Sequence, residues 1–134
     1  MVTLIMIAIA AHVLSAVFWA GSTFTLARLS GLGGERLVIP QTGAAVIAIL
    51  TGGYLWHTLH ESNFGPFEQV LAIGAVAALI SLLLQAAMGF RTLAARRREK
   101  LDDASAQRRI ATAQRFAAGL LAITVICMVI ARYV

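Results

Sequence analysis

Residues 2–27 read VTLIMIAIAAHVLSAVFWAGSTFTLA, and no Asp, Glu, Lys or Arg interrupts this run. An α-helix rises about 1.5 Å per residue, so a run of this length can cross the roughly 30 Å hydrocarbon core of a bilayer. Its one ionisable side chain is His12, about 15 Å from the start of the run. The run therefore predicts a membrane-spanning first helix that holds an imidazole deep in the hydrocarbon region.

Three further runs without charge follow, at residues 37–60, 69–90 and 116–131. The chain has 134 residues, of which 60% are apolar, and a mean hydropathy of +0.84, well above ordinary soluble domains. The last run reaches full length if its helix begins near Ile110 and Arg115 extends toward the headgroups. We predict one all-α domain, residues 1–134, forming an integral membrane four-helix antiparallel bundle. Its spans are expected at about 2–27, 37–60, 68–91 and 110–132, with Pro40 in the first turn of the second helix.

The basic residues are concentrated in two of the three connections between spans. The segment 92–109 carries Arg96, Arg97, Arg98, Lys100, Arg108 and Arg109. The first connection has Arg28 and Arg36, whereas the second, from residue 57 to 68, has no Lys or Arg. By the positive-inside rule, segment 92–109 is a cytoplasmic basic loop, and both termini lie on the outer, periplasmic side.

This charge distribution also predicts the location and partners of the protein. We expect a multi-pass protein of the bacterial inner (cytoplasmic) membrane, in contact with the lipid bilayer. The net charge of +5 is assigned to topology and to attraction toward anionic lipid, so no nucleic-acid binding is expected. No carboxylate lies inside a span, so paired-carboxylate chemistry lacks its residues.

Polar side chains recur along one face of the first helix. His12, Ser15, Trp19 and Ser22 or Thr23 follow helical spacing. Polar groups in hydrocarbon must face the bundle interior or a cofactor. Two interpretations of His12 follow: a neutral imidazole hydrogen-bonded to a neighbouring helix, or a ligand or redox residue.

The predicted topology brings possible partners of His12 to the same outer half. A pair of imidazoles from facing helices can hold haem b, with an aromatic and apolar wall and an Arg near the propionates. This hypothesis uses His12 and His57 as axial ligands, with Trp19 and Arg132 in the haem-binding site. A copper site is the alternative, because Cu(I) accepts imidazole and thioether ligands; its candidate ligands are His12, His57, Met6 and Met128. His57 and His60 also fit ordinary interfacial positions.

The first helix also resembles two groups of small bacterial membrane proteins. Its pattern is His12-x6-Trp19-x-Gly21, followed by Phe24, Leu26, Arg28 and Leu29. A similar pattern occurs in the copper-resistance D family and in the membrane-bound protoporphyrinogen oxidase of haem synthesis, whose first helix closes with Leu-x-Arg-Leu. Those oxidases are four-helix haem b proteins, so the resemblance implies that His12 ligates haem.

The chain departs from the oxidase pattern at three points. Ala27 stands where the oxidase pattern has Pro, Gly21 is displaced by one position, and the third span has no Lys to match the second functional residue. We therefore assign no enzymatic activity from the resemblance.

Three functions are consistent with the sequence. The first is a haem-b-binding protein that transfers electrons or serves as an accessory subunit of a membrane complex. The second is a copper-binding or copper-handling membrane protein. The third is a cofactor-free structural subunit that associates with other membrane subunits or with copies of itself.

Overall fold

Four long helices make up the bundle. The computed structural model describes residues 1–60 and 62–134, and over these residues it contains α1 (Val2–Arg28), α2 (Gly34–Leu59), α3 (Pro66–Arg97) and α4 (Asp103–Ala131). Each is long and apolar enough to cross a membrane. The predicted all-α four-helix architecture is confirmed, and the chain is a multi-pass membrane protein. Which end faces the cytoplasm, and which membrane holds it, stay predictions.

The helices extend beyond the predicted spans at one end of the bundle. α3 continues to Arg97 and α4 begins at Asp103, so most of the segment 92–109 is helical rather than an open loop. We call this end, with the α1–α2 and α3–α4 connections, the basic end. The opposite end, with both termini and the α2–α3 connection, is the terminal end.

The α1–α2 turn depends on glycines in the left-handed conformation. Gly31 has φ +77° and Gly33 has φ +75°, values that glycine adopts without the steric cost of a Cβ. Gly31 also packs closely, since a Cβ there would lie 2.6 Å from the carbonyl oxygen of Gln107. Gly33 is the N-cap of α2, which therefore starts earlier than predicted.

The placement of Pro40 in the first turn of the second helix was wrong. Because α2 begins at Gly34, Pro40 lies inside the helix, in its second turn. Its ring nitrogen has no hydrogen to donate to the carbonyl of Arg36, so one helical hydrogen bond is missing there.

Polar contacts tie the helices together at the basic end. Arg96 Nε lies 3.0 Å from Glu35 Oε1 at the start of α2, and Arg96 also pairs with Asp103 at the start of α4. Asp102 caps α4 by accepting a hydrogen bond from the Ser105 N–H at 3.0 Å. Hydrogen bonds from Ser105 hold the pKa of Asp102 below its ordinary value.

The bundle is built from two tightly packed hairpins. We call α1 with α2 the first hairpin and α3 with α4 the second, because contacts are densest within these two pairs. In the second hairpin, Thr124 Oγ1 donates to the Gly74 carbonyl at 2.9 Å, and Ser81 Oγ donates to the Ala117 carbonyl at 3.2 Å. Small residues allow this close approach of backbones.

A buried hydrogen-bond network joins all four helices. Gln85 of α3 is at its centre: its Oε1 accepts from Trp19 Nε1 at 2.6 Å, and its Nε2 donates to Thr23 Oγ1 and to Gln114 Oε1, both at 2.9 Å. Gln114 Nε2 in turn donates to Gln41 Oε1 at 2.8 Å. All five residues are buried. The network therefore fixes the depth and rotation of each helix against the other three.

We predict that Gln85→Leu destabilises the bundle while leaving its helices apolar and continuous. The change leaves the Trp19 indole N–H without its acceptor and removes two donor bonds. An unsatisfied buried polar group costs about 1–3 kcal/mol, so the free energy of unfolding should fall by about that amount. Unfolding in mixed micelles, followed by circular dichroism, measures it. Gln69→Leu on the exposed face of the same helix is the matched control, and equal losses in both variants would contradict the prediction.

Candidate functional site

An apolar crevice opens between the two hairpins in the terminal half of the bundle. Its volume is about 650 Å³, and residues from all four helices line it. This volume lies within the usual range of small-molecule and cofactor pockets, about 300–1,000 Å³. Trp19, Ala48, Ala78 and Leu121, which also belong to the buried core cluster, form its floor.

Small side chains on the facing helices account for the crevice. Alanine or glycine occupies eight positions of its wall: Ala16, Ala20, Ala48, Gly52, Gly53, Ala72, Ala75 and Ala78. Each hairpin packs closely within itself, but these side chains are too short to fill the space between the hairpins toward the terminal end. We call the part of the crevice nearest the terminal end its mouth; Leu59, His60 and Met128 line it, and they lie close to the terminal ends of α2 and α4.

His12 lies on the wall of this crevice with one nitrogen engaged. Its Nδ1 lies 2.8 Å from the Ala48 carbonyl oxygen and 3.2 Å from Thr51 Oγ1. A carbonyl oxygen can only accept a hydrogen bond, so Nδ1 carries the hydrogen. In the neutral imidazole the lone pair is then on Nε2, which makes no hydrogen bond within residues 1–60 or 62–134.

Gly52 creates the space in which the His12 ring lies. A Cβ at Gly52 would be 3.0 Å from His12 Cε1 and 3.4 Å from its Nδ1. Any larger residue at position 52 would displace the ring from its position against α2. The ring is thus held by the Ala48 carbonyl on one side and by the bare backbone of Gly52 on another.

The structure does not bring His57 to His12. His57 is exposed and is not part of the crevice wall. It follows Trp56, which does line the crevice, and one helical residue rotates its side chain by about 100° to a different face. The histidine that lines the crevice at this end of α2 is its C-cap, His60.

His60 is held among aromatic rings at the mouth. Its Nδ1 lies 3.2 Å from the Trp56 carbonyl oxygen. Its ring centroid is 5.4 Å from that of Trp56 and 5.0 Å from that of Phe67. His60 lies eight residues beyond Gly52, or about 12 Å along the helix axis. A metal–imidazole bond is only about 2 Å long, so one metal ion at His12 is out of reach of His60.

The other predicted site residues are divided between the crevice and the surface. Trp19 forms part of the floor, with its indole N–H committed to Gln85. Met128 lines the crevice near its mouth. Met6 is 64% exposed and lies off the wall. Arg132 is the exposed C-cap of α4 and also lies off the wall.

The described part of the chain contains no cluster of three or more His, Cys, Asp or Glu side chains that could hold a metal ion. Of the residues predicted to bind haem, His12 and Trp19 line the crevice. Of the residues predicted to bind copper, His12 and Met128 line it.

Sequence reasoning preferred His57 to His60 and missed the glutamine network. Gly52, Trp56 and His60 recur every four residues, which is the spacing of one helix face. The three network glutamines, Gln41, Gln85 and Gln114, each lie inside an otherwise apolar span. Antiparallel order places them at similar depth from the basic end, and this common depth was the available signal.

No protein-family model matches the chain, and the comparisons with curated proteins and with solved structures give no match. The resemblance of the first helix to the copper-resistance D and protoporphyrinogen oxidase groups therefore stays a prediction.

We predict that His12 is the Nδ1–H tautomer and that the position of its ring depends on Gly52. ¹⁵N NMR of the labelled protein in micelles should show a protonated Nδ1 and an unprotonated Nε2. Gly52→Ala places a methyl group against the ring and should shift both resonances. Gly43→Ala, where a Cβ meets nothing within 4 Å, is the matched control and should leave them unchanged. A protonated Nε2 in the unaltered protein would contradict the assignment.

Proposed function

We propose that this membrane protein binds haem b in the crevice between its hairpins, with Nε2 of His12 as the single axial ligand from the chain. One observation carries the proposal: a histidine on the wall of an apolar crevice of about 650 Å³ has its Nδ1 bonded to a backbone carbonyl and its Nε2 without a partner from the described chain. Histidines that ligate metals characteristically have this second hydrogen bond, which fixes the tautomer and orients the ring.

The surroundings of His12 suit a flat, largely apolar ring system. Alanines and glycines leave room between the hairpins, and Trp19 and Leu121 close the crevice below. The walls offer few polar groups that a porphyrin would leave unpaired. Of the described side chains, His12 would hold the haem iron, and the haem would supply a redox-active iron that can also bind a small molecule, as in haem proteins with a single proximal histidine.

The crevice offers one histidine ligand to a haem iron rather than two. His57 is off the wall and His60 is about 12 Å farther along the axis, so the two-histidine arrangement expected for electron transfer does not match the crevice. The exposed Arg132 is likewise not available on the wall as a propionate partner. The proposal therefore retains His12 and Trp19 from the sequence prediction and omits His57 and Arg132.

Copper binding has weaker support from the same wall. His12 and Met128 both line the crevice, and imidazole with thioether is a donor set that suits Cu(I). The described lining adds no third sulfur or imidazole donor at their level, however, because His60 lies about 12 Å farther along the axis than Gly52.

We predict that the purified protein has a Soret band and that His12→Ala removes it. Removing the only axial nitrogen should reduce the band to that of haem in empty micelles. The expected spectrum of His57→Ala equals that of the unaltered protein, because His57 is exposed and off the wall. Absorption spectroscopy of protein purified from cells, and after titration with haem b, measures both.

A second variant distinguishes loss of the haem ligand from loss of folding. In His12→Gly, added imidazole should enter the vacated space and restore the band. Stoichiometric copper without a Soret band would refute haem binding and support the copper-binding function. A colourless, metal-free protein that also fails to take up added haem would refute the proposal and favour a structural subunit.

A further inference from the structure

The crevice is polarised along its length. Of the described residues that line it, two have ionisable side chains, His12 part-way down the wall and His60 at the mouth. Between and below them the wall is almost entirely apolar. A ligand that matches this pattern has an apolar body and its charged groups at one edge.

From this pattern we propose that His60 binds a carboxylate of the cofactor at the crevice mouth, and so directs the propionate edge of haem toward the terminal end. This inference rests on the proposed function, because it names a second contact of the same ligand. It assigns His60 a role as an anion partner, distinct from the axial ligand role of His12.

The hydrogen bonding of His60 leaves one nitrogen available for this contact. Nδ1 faces the Trp56 carbonyl oxygen at 3.2 Å and, by the argument used for His12, carries a hydrogen. A carboxylate accepts hydrogen bonds, so it would accept one from the Nε2–H of the imidazolium form. The resulting bond is charge-assisted and stronger than one between neutral groups.

The neighbouring rings hold the His60 imidazole in place. Both ring centroids, at 5.4 Å for Trp56 and 5.0 Å for Phe67, are within the roughly 6 Å range of cation–π attraction. His60 and Phe67 are stacked, with 23° between their planes. Because the two rings come from α2 and α3, they fix the imidazole at the junction of the hairpins rather than leaving it free to rotate.

The separation of the two histidines matches an elongated ligand. His60 lies about 12 Å beyond the level of Gly52, against which His12 packs. A porphyrin ligated at His12 can extend over this length with its propionates at the mouth. Buried carboxylates need a partner, and His60 is the one ionisable group that the described wall provides there.

The test compares haem b with its dimethyl ester, in which both propionates are neutral. The unaltered protein should prefer haem b by about tenfold or more, as expected for loss of one charge-assisted hydrogen bond. In His60→Phe, which keeps an aromatic ring between Trp56 and Phe67, this preference should fall toward one. Titrations followed at the Soret band give both affinities, and the ratio between variants cancels different partitioning of the two compounds into micelles.

Controls separate this inference from the proposed function. His57→Ala should retain the full preference. His60→Phe should bind the dimethyl ester as tightly as the unaltered protein, with the same Soret maximum, which shows that the crevice and His12 are intact. If the unaltered protein leaves the Soret band of both compounds as it is in empty micelles, the proposed function fails. A Soret band whose haem-to-ester preference is unchanged in His60→Phe would overturn the role of His60 alone.

Discussion

The hydrogen bonds around Gln85 are the constraint on which the bundle depends. Apolar packing gives little drive to associate helices in lipid, since the acyl chains are as apolar as leucine. A primary amide in hydrocarbon, in contrast, must find partners inside the protein. Gln85 meets this requirement only when Gln114 and one turn of α1, from Trp19 to Thr23, lie beside it. Satisfying three glutamines at once therefore fixes the register of four helices that apolar contacts alone would leave free to slide.

The position of this network explains why the crevice lies where it does. The network and the Arg96 ion pairs hold the helices together from the middle of the bundle to the basic end. Toward the terminal end the polar contacts are mostly within a hairpin, such as His12 with Ala48 and Thr124 with Gly74. Each hairpin is rigid there, while alanine and glycine separate one hairpin from the other. One half of the molecule specifies the fold, and the other half has room for a ligand.

The helices and their order could be predicted from the positions of the charges, because four uncharged runs of sufficient length leave few alternatives. The rotation of each helix could not. His57 and His60 are both on the terminal side of α2, and depth alone favoured His57. Their faces are distinguished by how α2 turns, which is set by Gln41 in the network and by the contact of Gly52 with His12. These contacts are between distant parts of the sequence, so the hydropathy of α2 gives no sign of them.

The start of α2 was misjudged for a related reason. The uncharged run begins after Arg36, which placed the start of the span at residue 37 and Pro40 in its first turn. The glycines at 31 and 33 adopt positive φ and close the turn early, so the helix has already begun at Gly34. The packing of Gly31 against α4 requires this tight turn, and that requirement arises from the assembled bundle rather than from α2 itself.

The hydrogen bonding of His12 supports the proposal that the deep imidazole binds a ligand. A histidine that only links two helices gains from its Nδ1–H bond to Ala48, but it also brings a second nitrogen into an apolar crevice. That nitrogen is open to the crevice rather than enclosed by protein atoms. Where the crevice excludes water, an acceptor without a partner costs about 1–3 kcal/mol, and a side chain without that nitrogen would avoid the cost. The hydrogen bond to Ala48 accounts for the orientation of the ring, and a partner that enters the crevice and binds the Nε2 lone pair would also account for the choice of an imidazole, which is why we propose a function for the crevice rather than for the helix contact alone.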